Sequence, residues 1–254
     1  MKALRLSVMY AVFLIVTHLF AQEMNPDAAK LYNEGNQKLK EGNYKAALQV
    51  YDQALNIQED YRILYQRAIT FRKLNELDKA YNDLTKVINL KPDFDLAYNA
   101  LGILEYTRDN YQVSIKNFLK ALEVTKNSQL QSQLKKNLSL AYIKLADQSI
   151  KNYEYDKAIE QLTQALKYEP KNDAAYLALA RSYVEKGSYN EAIEAADNAL
   201  KYRKSIPKGG IYYYKGLALK NLGKINEAKL AFQEGLKDPT YKAVCSYEIK
   251  SLKE

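Results

Sequence analysis

The chain has no tryptophan, one histidine, one cysteine, nine glycines and five prolines among 254 residues. Each scarcity excludes something. The lone histidine, His18, sits in the apolar N-terminal stretch, so the rest of the chain carries no imidazole. That removes histidine-based acid–base catalysis, Ser–His and Cys–His dyads, and most zinc sites. No catalytic residue, metal ligand set or cofactor is expected, and the chain does not read as an enzyme. A single cysteine, Cys245, permits no internal disulfide. It is expected as a buried thiol, with pairing between chains as the alternative. Glycan-binding walls usually favour tryptophan, so its absence argues against carbohydrate binding. Gly209-Gly210 lacks both the spacing and the Gly-Lys-Ser/Thr ending of a phosphate loop. Few glycines and prolines suit helices joined by short turns.

What the chain does have is tyrosine, 23 of them. Tyrosine packs as an aromatic yet tolerates a wet edge, which suits a protein without a deep core. Residues 1–21 read separately. Lys2 and Arg5 precede an apolar run from Leu6 to Val16, and Ala21 is a plausible residue before a cut. This is the pattern of a secretory signal peptide, giving a mature start at Gln22 and an exported, periplasmic or secreted protein. An uncleaved N-terminal anchor is the alternative, although the run is short for a span of about 20 residues. After cleavage no transmembrane span is expected. Without Lys2 and Arg5 the excess of 38 basic over 30 acidic residues falls to +6. That mild balance reads as solvated helix faces with Lys–Glu pairs. Basic residues among tyrosines can stack bases, but export makes nucleic acid an unexpected partner.

From Asp173 to Ser205 the chain reads as two helices and a tight turn. Tyr176, Leu179, Ala180 and Tyr183 form one apolar stripe, and Gly187 with Ser188 ends it. Ala192, Ile193, Ala196, Ala199 and Leu200 form a second stripe. Small residues lie where the two helices cross, and larger ones there would overpack. A pair this short buries too little alone and needs stacked neighbours.

Tyr176, Leu179, Ala180, Tyr183, Ala192, Ala196 and Ala199 resemble the defining positions of the tetratricopeptide repeat (TPR), and the period of about 34 residues is similar. The rest of the chain resembles further copies. Repeats are expected at about 28–60, 61–94, 95–128, 132–172, 173–206 and 209–239, after a short lead at 22–27, with a capping helix at 240–252. Together they form a single domain over 28–253. Thr240 is expected to cap the last helix, whose stripe is Tyr241, Val244, Cys245, Ile249 and Leu252. The fourth repeat is irregular: Gln129–Leu138 continues the helical pattern through Leu130, Leu134 and Leu138 without a breaker. An elongated first helix is therefore expected, about Ser128 to Asn152, protruding from the array. A separate short helix with a kink near Asn137 is the alternative.

The resemblance implies an all-α, right-handed superhelix (an α-solenoid) of about six helix-turn-helix repeats plus the cap. It also implies a concave groove, formed by the first helix of each repeat, that holds an extended peptide or partner protein. By position, the groove candidates are Tyr32, Asn36, Lys40, Arg62, Tyr65, Arg72, Lys73, Asn99, Tyr106 and Arg181, with Ile69, Ile103, Asp147, Lys151, Tyr213, Lys220 and Asn221 alongside. Asn36 and Asn99 suit a peptide backbone, since amides donate and accept. The tyrosines suit flat apolar contacts, and Arg62, Arg72 and Lys73 favour a carboxylate. One TPR subfamily grips a chaperone's C-terminal carboxylate with a Lys-Asn-Asn-Lys-Arg clamp. The matching positions here hold Tyr32, Asn36, Gln66, Leu96 and Ala100, so that clamp is not expected. Since these candidates concentrate in repeats one to three, Asp173–Ser205 reads as scaffold. The resulting expectation is a non-catalytic adaptor or scaffold in the bacterial cell envelope, with a monomer favoured. A self-assembling or cell-wall-associated spacer is the alternative.

Overall fold

The computed structural model describes residues 23–204 and 206–252; the expected signal peptide and its cut lie outside the described residues. The described residues are all-α, and among them there is no strand. They fall into two compact units divided after Pro92, where the sequence reads a single domain.

Unit 1 holds α1 (Pro26–Lys40), α2 (Tyr44–Ile57), α3 (Tyr61–Lys73) and α4 (Leu77–Leu90). Unit 2 holds α5 (Asp95–Thr107), α6 (Tyr111–Val124), α7 (Ser128–Lys151), α8 (Tyr155–Tyr168), α9 (Asp173–Lys186), α10 (Tyr189–Tyr202), α11 (Lys208–Asn221), α12 (Ile225–Gly235) and α13 (Lys242–Ser251). Consecutive helices pair as hairpins, and within each unit hairpin stacks on hairpin. This is the helix-turn-helix pattern of an α-solenoid. The lead does structural work: Asn25 caps α1 through its side chain, accepting from the Asp27 and Ala28 amides. Such a cap contributes roughly 1 kcal/mol.

Inside each hairpin, side-chain size is matched across positions sixteen residues apart. Gly35 faces Tyr51, Gly102 faces Phe118 and Gly216 faces Phe232; a Cβ on any of these glycines would lie 2.5 Å from the opposing ring. Where the first position is alanine, at Ala68, Ala146 and Ala180, the second is Leu84, Leu162 and Ala196, and all six are buried. In five of the six pairs a larger side chain on the second helix meets a smaller one on the first, as close packing requires, and in the remaining pair both are alanine. Ser114, at a position where alanine is usual, donates to the Gly102 carbonyl at 2.7 Å and leaves no buried hydroxyl unsatisfied.

The six hairpin turns share one backbone device. A residue one or two places beyond the first helix takes positive φ, and the next amide donates to a carbonyl five residues back, as in Ser188 to Tyr183 at 2.8 Å and Glu154 to Ser149 at 2.9 Å. This closes the helix end. Gly42, Gly187 and Gly223 fill the slot without strain, and Asn75 and Asp109 are short polar residues that visit this region. The sixth occupant is Tyr153, at φ 62°. A bulky residue there is an outlier that costs roughly 1–2 kcal/mol.

Two expectations need correction. α7 is one unbroken helix, but it does not protrude. Leu130, Leu134 and Leu138 are buried against Ile115, Phe118 and Ala121 of α6, so its extra turns extend the core. Thr240 does not cap the last helix: α13 starts at Lys242 without a side-chain cap, and the Thr240 amide donates to Asp238. Cys245 is buried, and burial pushes its thiol up to about 11.

Candidate functional site

The first helices of unit 1 carry seven of the candidate residues, and several are committed to the fold. Tyr32 packs against the cluster of Ala28, Ala47, Tyr51, Ala54 and Ile63. Asn36 accepts a 2.8 Å hydrogen bond from the Tyr51 hydroxyl, so its carbonyl oxygen is already in use. Arg62 grips Asp60, the buried N-cap of its own helix, with Nε to Oδ1 at 2.9 Å and Nη2 to Oδ2 at 2.6 Å. Those hydrogen bonds raise the Arg62 pKa against the cost of burial. Tyr65 is half-buried. Arg72 is half-buried while Lys40 and Lys73 are exposed, and none of the three forms an ion pair among the described residues. Arg67, which is not among the candidates, carries the main polar contact here. It makes paired 2.7 Å bonds to both oxygens of buried Asp83 and a third 2.7 Å bond to Asp52 in the preceding hairpin. Burial opposes its charge, and the bonds to Asp83 and Asp52 outweigh that.

In unit 2 the first helices α5, α7, α9 and α11 supply a connected line. Asn99 accepts from the Asn137 amide at 3.5 Å, the outer limit of a hydrogen bond. Tyr106 meets Tyr111 edge-to-face at 5.3 Å. Burial raises the Tyr106 hydroxyl, and the charges of Asp109 and Asp147 raise it further. Asp147 comes next. It is half-buried and forms no hydrogen bond or ion pair among the described residues. Burial raises its carboxyl above the ordinary range, while Lys144, Lys151 and Arg181 pull it back. Arg181, one helix further on, is exposed and likewise unbonded. Beyond it lies Tyr214, whose hydroxyl burial pushes up to about 12, with Arg181 opposing. Tyr213 follows, packed on Phe232 and Tyr241. Lys220 closes the line but is occupied, donating to Glu248 at 2.8 Å and to Ser251 at 3.0 Å. Asn221 turns back to the Leu217 carbonyl.

Tyr106, Asp147, Arg181 and the Tyr213–Tyr214 pair therefore come together on one face. Asn36, Arg62 and Lys220 are engaged within the protein. Tyr214, Tyr155 and Glu185 join the face beyond the candidates. Tyr155 lies within the fields of Glu185 and Arg181, and Tyr214 within those of the same two groups. Helical spacing favours only one of two adjacent residues for a given face, and the sequence reading takes Tyr213 of the pair. The available chemistry is a half-buried anion beside an exposed cation with aromatic surface on either side. That arrangement suits binding of a polar chain.

Two family models described as tetratricopeptide repeat match residues 31–94, 149–205 and 210–237, more than half of the chain. Among curated proteins, the chain is similar to the small glutamine-rich tetratricopeptide repeat-containing protein 2 of Mycosarcoma maydis. The two are 27% identical over 126 residues, covering 49% of this chain and 35% of that protein. The corresponding protein of Dictyostelium discoideum is 30% identical over 110 residues, covering 43% and 33%. The chain spans about a third of the length of these relatives. Among solved structures it resembles YrrB, described as a TPR protein with an unusual peptide-binding site. The TM-score is 0.55 at 16% identity, covering 79% of this chain and 97% of that one. It also resembles MamA from Desulfovibrio magneticus RS-1, with a TM-score of 0.51 at 19% identity, covering 72% and 100%. These structural likenesses concern the fold alone. The family models, which together cover more than half of the chain, lead to one assignment: the chain belongs to the tetratricopeptide repeat family.

Proposed function

We propose that this protein is a non-catalytic adaptor that binds an extended peptide or a partner protein along the first-helix face of unit 2. The observation that carries the reading is the Asp147–Arg181 pair. A half-buried carboxylate without a hydrogen-bond partner is costly, and Arg181, whose charge acts on it, is left unbonded among the described residues. A bound peptide offers amide N–H groups or a basic side chain to Asp147, and carbonyls or a carboxylate to Arg181. Tyr106 and Tyr214 supply apolar contact at each end. The description of the fold neighbour YrrB, a TPR protein with an unusual peptide-binding site, is consistent with this reading. The apolar run at Leu6–Val16 supports export, and the location proposed is the bacterial cell envelope.

Pull-down from envelope extract with immobilised residues 22–254 tests the reading. Arg181→Glu and Asp147→Lys should each reduce recovery of bound partner at least tenfold while leaving the circular dichroism spectrum unchanged. Equal recovery by wild type and both variants removes the face assignment. Edman sequencing of protein recovered from cells should begin at Gln22; a first residue of Met1 removes cleavage.

A second reading, self-assembly, has its own observation. Leu230 is 63% exposed and Tyr247 is 70% exposed on the last two helices, with Val244 partly bare beside them. Sedimentation across concentration decides it. A single monomer species throughout argues against assembly.

A further inference from the structure

The first-helix face of unit 2 carries an apolar strip beside its charges. Ala146, Ala180 and Gly216 mark the crossing point of successive hairpins, so positions counted from them are equivalent. Three residues before each lie Ile143 on α7, Leu177 on α9 and Tyr213 on α11, all half-buried. One residue after the first two lie Asp147 and Arg181. Along each helix these two positions are one turn apart and share a face. Leu140, one turn before Ile143 on that face, is 50% exposed. Ile143 and Leu177 rest on one core cluster, and α9 meets both α7 and α11 directly. The strip therefore runs across three first helices with the charge pair along one side. It ends at α5, where the equivalent residue is Asn99, facing Asn137.

The spacing selects the occupant. Axes of packed helices lie about 8–10 Å apart, so a chain crossing this face meets a new first helix at that interval. An extended chain covers the interval in about three residues, at about 3.3 Å each, and successive side chains point to opposite sides. It can set a side chain on α7 and on α11 but turns the intervening one away from α9. An α-helix advances about 1.5 Å per residue, so residues i, i+7 and i+14 share a face at steps of about 10.5 Å and reach all three first helices. Its polar flank then lies over Asp147 and Arg181, which are opposite in sign and unbonded among the described residues. A flank bearing both lysine and glutamate complements them.

We propose, resting on the first-helix reading above, that the occupant of this face is an amphipathic helix of a partner protein. Its apolar stripe lies on Leu140, Ile143, Leu177 and Tyr213, and its charged flank on Asp147 and Arg181. Leu140 is the barest of the four, so a partner covers it most.

The test is isothermal titration calorimetry of residues 22–254 with two peptides. The first is a designed peptide of about eighteen residues of leucine, lysine and glutamate, blocked at both ends, with its leucines in one helical stripe. The second differs by one proline at the middle of the polar face, which breaks the helix and leaves every leucine in place. Wild type should bind the first at least tenfold more tightly than the second. Leu140→Asp should weaken binding of the first at least tenfold with an unchanged circular dichroism spectrum. Leu230→Asp, which alters a bare leucine on α12, should leave the affinity within about twofold. No binding of the first peptide, equal affinity for the two, or equal effects of Leu140→Asp and Leu230→Asp overturns the helical occupant. Arg181→Glu keeps that failure apart from failure of the face. Full binding of the proline peptide that Arg181→Glu abolishes leaves the face standing with an extended occupant. Binding that ignores Arg181→Glu and Leu140→Asp alike removes the face and the helix together.

Discussion

The two units of the chain use charge differently. In unit 1, Arg62 and Arg67 are bound by Asp60 and Asp83 of their own hairpin, and Arg67 also by Asp52 of the preceding one. In unit 2, Asp147 and Arg181 lie within each other's field and bond nothing among the described residues. First-helix charges thus hold structure in one unit and remain open in the other. A charge on the inward face of a repeat is therefore a poor indicator of binding until its partner is known. Unit 1 still offers Arg72, Lys73 and Lys40, but these are cations without a facing anion and lack the two-sign arrangement of unit 2.

The comparison is broken most severely at Arg67. Removing it leaves Asp83, only 4% exposed, as a buried carboxylate without its paired donor. Arg67→Met should cost about 3–5 kcal/mol, read as a large fall in the denaturant midpoint by equilibrium unfolding. Arg181→Met in unit 2 should alter stability by less than about 0.5 kcal/mol, since it removes an exposed cation that forms no hydrogen bond or ion pair among the described residues. Equal losses in the two variants would erase the distinction drawn between the units.

A smaller effect tests whether both units obey the same packing rule. Gly35→Ala in unit 1 and Gly102→Ala in unit 2 both place a Cβ 2.5 Å from an aromatic ring. Each should cost about 1–3 kcal/mol by overpacking. Gly42→Ala, where a Cβ meets nothing within 4 Å but φ is +77°, should cost about 1–2 kcal/mol through the backbone alone. Pairing Gly102→Ala with Phe118→Leu should recover part of the loss by restoring room, whereas no second-site change of side chain should rescue Gly42→Ala. Thermal unfolding of the three single variants and the double variant distinguishes these causes.

The fold is legible in the sequence because it repeats. Apolar stripes such as Tyr176–Tyr183 and the sixteen-residue pairing of Gly102 with Phe118 are local patterns that recur in each hairpin. Even the length of α7 is readable, since Leu130, Leu134 and Leu138 keep one face inward. What those leucines pack against is not readable, and for that reason the helix is expected to protrude when it in fact lies on α6. The site is less legible for a related reason. Whether Asn36 is free depends on the reach of Tyr51, and whether Arg62 is free depends on Asp60, the buried N-cap of its own helix. Spacing along one helix says which face a residue occupies, but not which group across the gap claims it. The left-handed turn of Tyr153 is likewise hidden until the turns are aligned by their backbone, because its slot is defined by hydrogen bonds and not by residue type.

The smallest effect is a matter of pH, and it distinguishes the open anion of unit 2 from the satisfied one of unit 1. Burial raises the Asp147 carboxyl above its unfolded value, against Lys144 and Lys151 on its own helix and Arg181 on α9, with Tyr106 also within its field. An acid whose folded pKa is raised holds its proton more tightly in the native state. Within the window between the ordinary carboxylate pKa and the raised one, the native state binds more protons than the unfolded state, so stability falls as pH rises. Below that window the group is protonated in both states and costs nothing; above it the burial penalty is present in full. Asp147→Asn should therefore remove a shallow downward slope in the weakly acid range and leave the protein slightly more stable at neutral pH. Asp83→Asn should lower stability at neutral pH, because Arg67 loses its charged partner. If the proposed face is correct, saturating peptide should abolish the Asp147 slope in wild type, since a bound donor favours the ionised carboxylate. Unfolding free energies measured from pH 4 to 7, with and without peptide, read all three curves. A slope in wild type that survives in Asp147→Asn would assign it to another group.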